Sequence, residues 1–268
     1  DPYLEFTADS VGTYYLGVSG LGNRNYDPNV ARSGSAWTFP EVGVFFGPYE
    51  LTATLTDGDP QPPTGGDLIG TPGDDTLEGT AEADTIAGDL GNDIITGNTG
   101  DDILRGDLND RSPQDDVMGG NDIIFGGAGN DQIGGKSGND ILSGDAGDDF
   151  IWGDDGDDII MGVTGNDTLV GDNFSGGSGS DLFVFGNGDG TDTILDFEVG
   201  TDRIGLVEGD LTFTDLTLTQ DGANTLLGVA SSGEVLAVLN GIRASALGAG
   251  DFELVPDVSN PEQALALV

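Results

Sequence analysis

The residues able to do chemistry in this chain are its carboxylates, and their spacing follows a rule. Asp recurs every nine residues at Asp75, Asp84, Asp93 and Asp102, and again at Asp131, Asp140, Asp149, Asp158 and Asp167. Asp and Glu number 49 against 7 Lys plus Arg, a formal charge of −42, and the sequence has neither His nor Cys. Without imidazole or thiol there is no zinc site of the usual kind, no thiol nucleophile and no histidine proton relay. A Ser–Lys pair would depend on Lys136, the one lysine, which sits inside a repeat. Carboxylate pairs for glycosidase chemistry are abundant, yet their even spacing marks them as ligands instead. Carboxylate, amide and carbonyl oxygens remain as donors, a set suited to hard cations such as Ca2+. So acidic a chain is not expected to bind nucleic acid, whose phosphates need clustered cations, or an anionic membrane surface. No apolar run reaches the roughly 18 residues of a membrane span, and no basic, hydrophobic leader opens the sequence, so no membrane insertion is expected.

The elements that must hold these carboxylates are written in the same period. Glycines open units at 70, 79, 88 and 97 and at 126, 135, 144, 153 and 162, and the eighth position of each unit is aliphatic: Leu77, Ile86, Ile95, Leu104, Ile133, Leu142, Ile151, Ile160 and Leu169. High charge with 48 glycines is also a composition of disorder, but a disordered polyanion has no reason to keep one aliphatic side chain in phase. In a unit such as Gly126-Gly127-Ala128-Gly129-Asn130-Asp131 the glycines permit positive φ and Asn and Asp favour turns, so the first six residues read as a turn. The last three read as a short strand whose eighth residue points one way and whose seventh and ninth point the other. Two units per coil then stack into two facing parallel sheets around one layer of Leu and Ile. At about 2 kcal/mol per buried side chain, that layer does not offset the ordering of so many glycines. Stacked turns also crowd like charges, which a cation between them would reverse.

The pattern resembles the repeats-in-toxin (RTX) nonapeptide, G-G-x-G-x-D-x-U-x, over 70–185. The resemblance implies an all-β fold, a parallel β-roll built as a calcium solenoid, holding several Ca2+ ions. The ligands it implies are the carboxylates of Asp75, Asp84, Asp93, Asp102, Asp116, Asp122, Asp131, Asp140, Asp149, Asp158, Asp167 and Asp181. To these it adds the backbone carbonyls of Gly88, Leu90, Gly97, Thr99, Gly126, Ala128, Gly135, Ser137, Gly144, Ala146, Gly153, Asp155, Gly162 and Thr164. Asp at the second position, as at Asp89, Asp107, Asp145 and Asp154, reads as solvated charge, with occasional extra coordination as the alternative. The array slips twice. An excursion near 107–114 is expected to leave Asp116 and Asp122 in ligand phase, and a second slip near Asn173 is followed by Gly176 restoring the motif and Asp181 the ligand.

The flanks differ. Residues 58–69, with Pro60, Pro62 and Pro63, read as a stiff linker. Residues 186–256 resemble the β-rich cap that ends many RTX arrays, with strands at 193–197, 203–206, 211–213, 216–219, 225–229 and 234–239, hairpin turns at 221–224 and 231–233, and Asp-rich turns at 189–192 and 200–202 that the resemblance implies hold further calcium, plain turn chemistry being the alternative. Residues 257–268 read as a tail. Residues 1–57 alternate like sandwich strands and resemble the later strands of the bacterial pre-peptidase C-terminal (PPC) domain, a jelly-roll-like β-sandwich. Half a sandwich exposes an unpaired edge, so self-association by strand complementation is expected if no preceding residues complete it. Together the resemblances imply a non-enzymatic extracellular structural or adhesion module, secreted or at the cell surface, which folds on Ca2+ and assembles into a layer or filament. The alternative is the non-catalytic C-terminal region of a secreted calcium-dependent peptidase or other hydrolase.

Overall fold

The structure, a computed structural model, describes residues 67–108, 119–172 and 178–256. The expectations for residues 1–57, most of the linker, Asp116, Gly176 and the tail therefore lie outside the described residues.

The aliphatic period dictates the architecture. The strands are β1 (Asp67–Ile69), β2 (Thr76–Glu78), β3 (Thr85–Ala87), β4 (Ile94–Thr99), β5 (Ile103–Arg105), β6 (Ile123–Ala128), β7 (Gln132–Ser137), β8 (Ile141–Ala146), β9 (Phe150–Asp155), β10 (Ile159–Thr164), β11 (Thr168–Asp172) and β12 (Leu182–Phe185). Odd strands stack into one parallel sheet and even strands into another, so each coil contains two nonapeptides, as the period predicts. Eighth-position side chains face inward between the sheets. Ile86, Ile95, Leu104, Ile133, Leu142, Ile151, Ile160 and Leu169 are all fully buried, joined by Ile124, Phe183 and Ile194. The seventh and ninth positions point away, and on the even sheet Ile123, Phe125, Ile141, Met161 and Val184 form a second apolar cluster with Val255.

The strands are longer than three residues. β4 and β6 to β10 each run six, through positions seven to nine and on into the first three positions of the next unit. The turn is correspondingly tight, and second-position residues carry positive φ, including Asn98 at 78° and Val163 at 70°.

The parallel stacking continues beyond 185. β13 (Asp192–Ile194) stacks on β11, and β14 (Arg203–Val207) on β12. Then β15 (Leu216–Asp221), β16 (Asn224–Val229) and β17 (Val235–Leu239) close the odd sheet, with β16 antiparallel to both neighbours and β17 parallel to β13. The tight turn between β15 and β16, with Asp221 paired to Asn224, lies where it was expected. β18 (Phe252–Val255), which the alternation did not reveal, closes the even sheet. The strand expected at 211–213 is absent, because Phe213–Asp215 forms a 3₁₀ turn held by Thr212 and Asp215 side chains.

Candidate metal centres

Each sixth-position Asp ends a turn and starts a strand, which points its carboxylate along the edge of the roll. One oxygen of that carboxylate closes the gap between coils. On one edge the backbone N–H of Asp75 donates to Oδ1 of Asp93 at 2.7 Å, Asp93 to Asp122 at 2.8 Å, Asp122 to Asp140 at 2.8 Å, Asp140 to Asp158 at 2.8 Å and Asp158 to Asp181 at 3.0 Å. On the other edge Asp84 donates to Asp102, Asp102 to Asp131, Asp131 to Asp149 and Asp149 to Asp167 in the same way. The predicted carboxylates thus form two ladders. Asp116 lies outside the described residues, and the first ladder passes directly from Asp93 to Asp122.

The other oxygen accepts the N–H and hydroxyl of Thr71 at Asp75 and of Thr80 at Asp84, and from Asp93 to Asp181 it has no partner in the chain. Oδ2 of Asp93, Asp102, Asp122, Asp131, Asp140, Asp149, Asp158, Asp167 and Asp181 is buried without a hydrogen bond. A buried, unsatisfied acceptor costs about 1–3 kcal/mol, and a charged one more. Burial, followed by the neighbouring carboxylates, accordingly pushes the pKa of Asp122, Asp149 and Asp181 up to about 8, and that of Asp131 up to about 6. Asp140 and Asp158 are pushed well above the usual carboxylate range, by burial first.

A second oxygen faces each of these. A side chain at Gly153 would run into the Asp158 carboxylate and the carbonyl of Gly171 one coil on, and the same pairing of an Asp with a first-position carbonyl occurs at Gly88, Gly97, Gly106, Gly126 and Gly135. Glycine is required here because the space beside its Cα is where two oxygens from successive coils converge. The predicted carbonyls of Gly88, Gly97, Gly126, Gly135, Gly144 and Gly153 all point into such a space. Those of Ala128, Ala146, Asp155 and Thr164 accept backbone N–H groups of fourth-position glycines in the preceding coil at 2.8–2.9 Å, each retaining a second lone pair. Thr99 and Ser137 lie in register with Ala128 and Asp155. Leu90 and Gly162 occupy the corresponding turn positions of their units. Among the described residues no three acidic side chains converge on one point, so an ion seated between two rungs of a ladder completes its shell with these carbonyls. Orphaned carboxylate oxygens beside glycine carbonyls are a donor set for a hard divalent cation.

The structure corrects three sequence readings. Asp107 and Asp154 are buried rather than solvated, at 0% and 7% exposure. Asp107 accepts the N–H groups of Gly120 and Ser137, while Asp154 faces the buried Lys136 ammonium at 3.7 Å. Next, the first slip is one unit with an insertion, because Asp93 and Asp122 are 29 residues apart where ordinary rungs are 18 apart. Those 29 less 18 leave 11 extra residues, and Gly106 is the glycine that cradles Asp122. Third, Gly171 packs against the Asp181 carboxylate and so opens the unit after the second slip. Asp192 and Asp202, in the turns read either as further calcium sites or as plain turns, continue the two ladders by accepting from Asp167 at 3.0 Å and Asp181 at 3.1 Å. The only signal for them was the Asp-rich turn, since their spacing departs from nine.

Residues 69–107, 117–142 and 134–169 match the family model of the RTX calcium-binding nonapeptide repeat, in four copies. These segments are RTX repeats. RTX repeats bind Ca2+ at multiple sites, and calcium is accordingly the cofactor of this chain, as several ions. No curated protein matches the chain. Among solved structures, it is similar to the extracellular lipase LipA of Serratia marcescens, at 18% identity and a TM-score of 0.31 over 66% of this chain and 39% of the lipase. It is also similar to the R3 and R2 subunits of the Azotobacter vinelandii mannuronan C5-epimerase AlgE6, at 20% and 23% identity and TM-scores of 0.25 and 0.27. Those matches cover 75% and 71% of this chain, and 86% and 94% of the subunits.

Proposed function

We propose that the RTX roll is a non-enzymatic, extracellular calcium-binding structural module whose folding is completed by Ca2+ after secretion. The observation that carries this reading is the pair of Asp ladders, in which buried oxygens face glycine carbonyls with no hydrogen bond of their own. The ligands in this reading are the sixth-position carboxylates and the first- and third-position carbonyls. Each ion neutralises charge that otherwise repels between coils, so the binding free energy is folding free energy. At submicromolar calcium inside a cell the chain stays an expanded polyanion, suited to passage through a secretion channel. At millimolar calcium outside, site affinities of about 10⁻⁴ to 10⁻³ M are enough to fold it.

An adhesive or layer-forming role is a further part of the proposal and rests on residues 1–57, through strand complementation. A strictly monomeric chain by light scattering at millimolar calcium removes that part. The folding reading is tested by far-ultraviolet circular dichroism and small-angle scattering in excess chelator and in millimolar calcium. The expected result is loss of strand signal and an expanded radius in chelator. A compact, strand-rich chain in chelator refutes it.

A further inference from the structure

The last rung of the first edge is built differently from those before it. At Gly153 and the earlier first-position glycines, the Asp Oδ2 faces the carbonyl of a glycine one coil on. At Gly171 no such glycine follows. The register Thr168 to Thr193 and Leu169 to Ile194, continued by two residues, sets Asp196 opposite Gly171. The Asp196 carboxylate accepts the N–H groups of both Gly171 and Asp172 at 3.0 Å. A charged side chain thus takes the glycine N–H that earlier rungs give to a neutral ninth-position carbonyl, as Gly88 does to Arg105 and Gly106 to Gly134.

Three more carboxylates face this place. Asp181 is 1% exposed, and its Oδ2, directed at Gly171, has no hydrogen-bond partner. Oδ1 of Asp172 is likewise buried and unpartnered. Asp202 accepts from the N–H of Asp181 at 3.1 Å and from that of Glu198 at 2.7 Å, which fixes its carboxylate over the same turn. Arg203, the adjacent cation in the chain, pairs instead with Glu253 at 2.7 Å on the exposed surface. Two coils back on this edge the second-position column has Lys136 against Asp154. Asp172, next in that column after Asp154, meets a turn whose charged residues are all acidic: Asp196, Glu198 and Asp202.

We propose that Asp172, Asp181, Asp196 and Asp202 form a terminal divalent-cation site at the junction of roll and cap. This site has more carboxylates than any interior rung and therefore the highest Ca2+ affinity in the chain. The four groups do not yet close on a single point, so binding draws the Asp172, Asp181 and Asp202 carboxylates toward Asp196, which already holds the N–H groups of Gly171 and Asp172. The inference rests on the calcium reading of the ladders. Affinity follows from ligand charge: where interior rungs offer one carboxylate oxygen to each neutral glycine carbonyl, this site offers carboxylates from four residues.

The test is calcium titration calorimetry with an ion count by equilibrium dialysis, on the intact chain, on Asp172→Asn and on Asp140→Asn. The substitution D172N keeps the shape of the side chain and removes the carboxylate charge that Oδ1, the oxygen left without a hydrogen bond, shares. The expected result is that D172N loses the tightest binding step, with its dissociation constant raised about tenfold or more, while D140N retains that step and weakens a later one. A role confined to structure predicts the opposite for D172N, since removing one repelling charge would leave calcium binding unchanged or strengthened. An unaltered tight step in D172N therefore overturns the terminal site while leaving the ladders in place. Absence of calcium binding by the intact chain overturns both. Circular dichroism at saturating calcium verifies that D172N is folded. A D172N chain that stays unfolded there, with D140N folded, also contradicts the assignment, because weakening one ion among many does not unfold the whole roll.

Discussion

Asp140 shows what one residue is asked to do in this fold. Its Oδ1 accepts the backbone N–H of Asp122 at 2.8 Å, and its Oδ2 is left to a ligand. Asn preserves the first function and loses the charge of the second. Asp140→Asn and Asp158→Asn are therefore each expected to raise the calcium midpoint of folding several-fold, one tenfold step being about 1.4 kcal/mol. An unchanged midpoint argues against both as ligands. Gly153 offers the complementary test, because an added methyl group collides with the Asp158 carboxylate and the Gly171 carbonyl. Gly153→Ala is expected to remove binding at that rung, whereas Gly73→Ala, which meets nothing within 4 Å, is expected to leave the titration unchanged. The sixth-position residues were legible in sequence because ion and backbone both demand Asp there. Asp107 was not, since nothing in a second-position Asp announces that an insertion will fold it inward to hold Gly120 and Ser137.

At the scale of the element, the phase of the aliphatic residue announced the pairing of strands and the position of the core. Ile151, fully buried between the sheets, should cost about 3 kcal/mol when cut to Ala in the calcium-loaded protein. Gln132, exposed at a seventh position of the same sheet, should change stability by less than about 0.5 kcal/mol when cut to Ala. Denaturant titration in saturating calcium compares the two, and equal costs would mean that the inner layer is not the core. Strand length was illegible for a physical reason. Glycines at the first three positions read locally as turn, yet stacking on the next coil recruits their backbone groups into the ladder. Val163 is the extreme case, a β-branched residue held at φ 70° by its neighbours in a column that elsewhere uses Asn98 and Gly127. The cap strands β15 to β17 were readable from ordinary alternation and turn residues, while Phe252–Val255 is too short a run to stand out.

For the whole molecule, the ladders make the stability of the calcium-free fold depend on pH. Asp122, Asp149, Asp181 and Asp192 have folded-state pKa values raised to about 8 by burial and neighbouring carboxylates, against an ordinary Asp value near 3.9 in the unfolded chain. The calcium-free fold thus binds protons that the unfolded chain does not. Its stability is greatest below about pH 4 and is lost as pH rises through about 8. In chelator, acidification from about pH 8 to about pH 5 should increase strand signal by circular dichroism, and a flat or falling signal would contradict the burial of these groups. Calcium competes with the same protons, so the dissociation constant for calcium of the already folded roll should rise as pH falls over that interval. The most direct measurement of calcium seated in the ladders is anomalous diffraction from crystals of the calcium-loaded chain. The expected map has a row of calcium peaks along each edge, each beside a first-position glycine such as Gly153 and bonded to Oδ2 of the sixth-position Asp. Edges without calcium peaks, with those oxygens hydrogen-bonded to water alone, would contradict it.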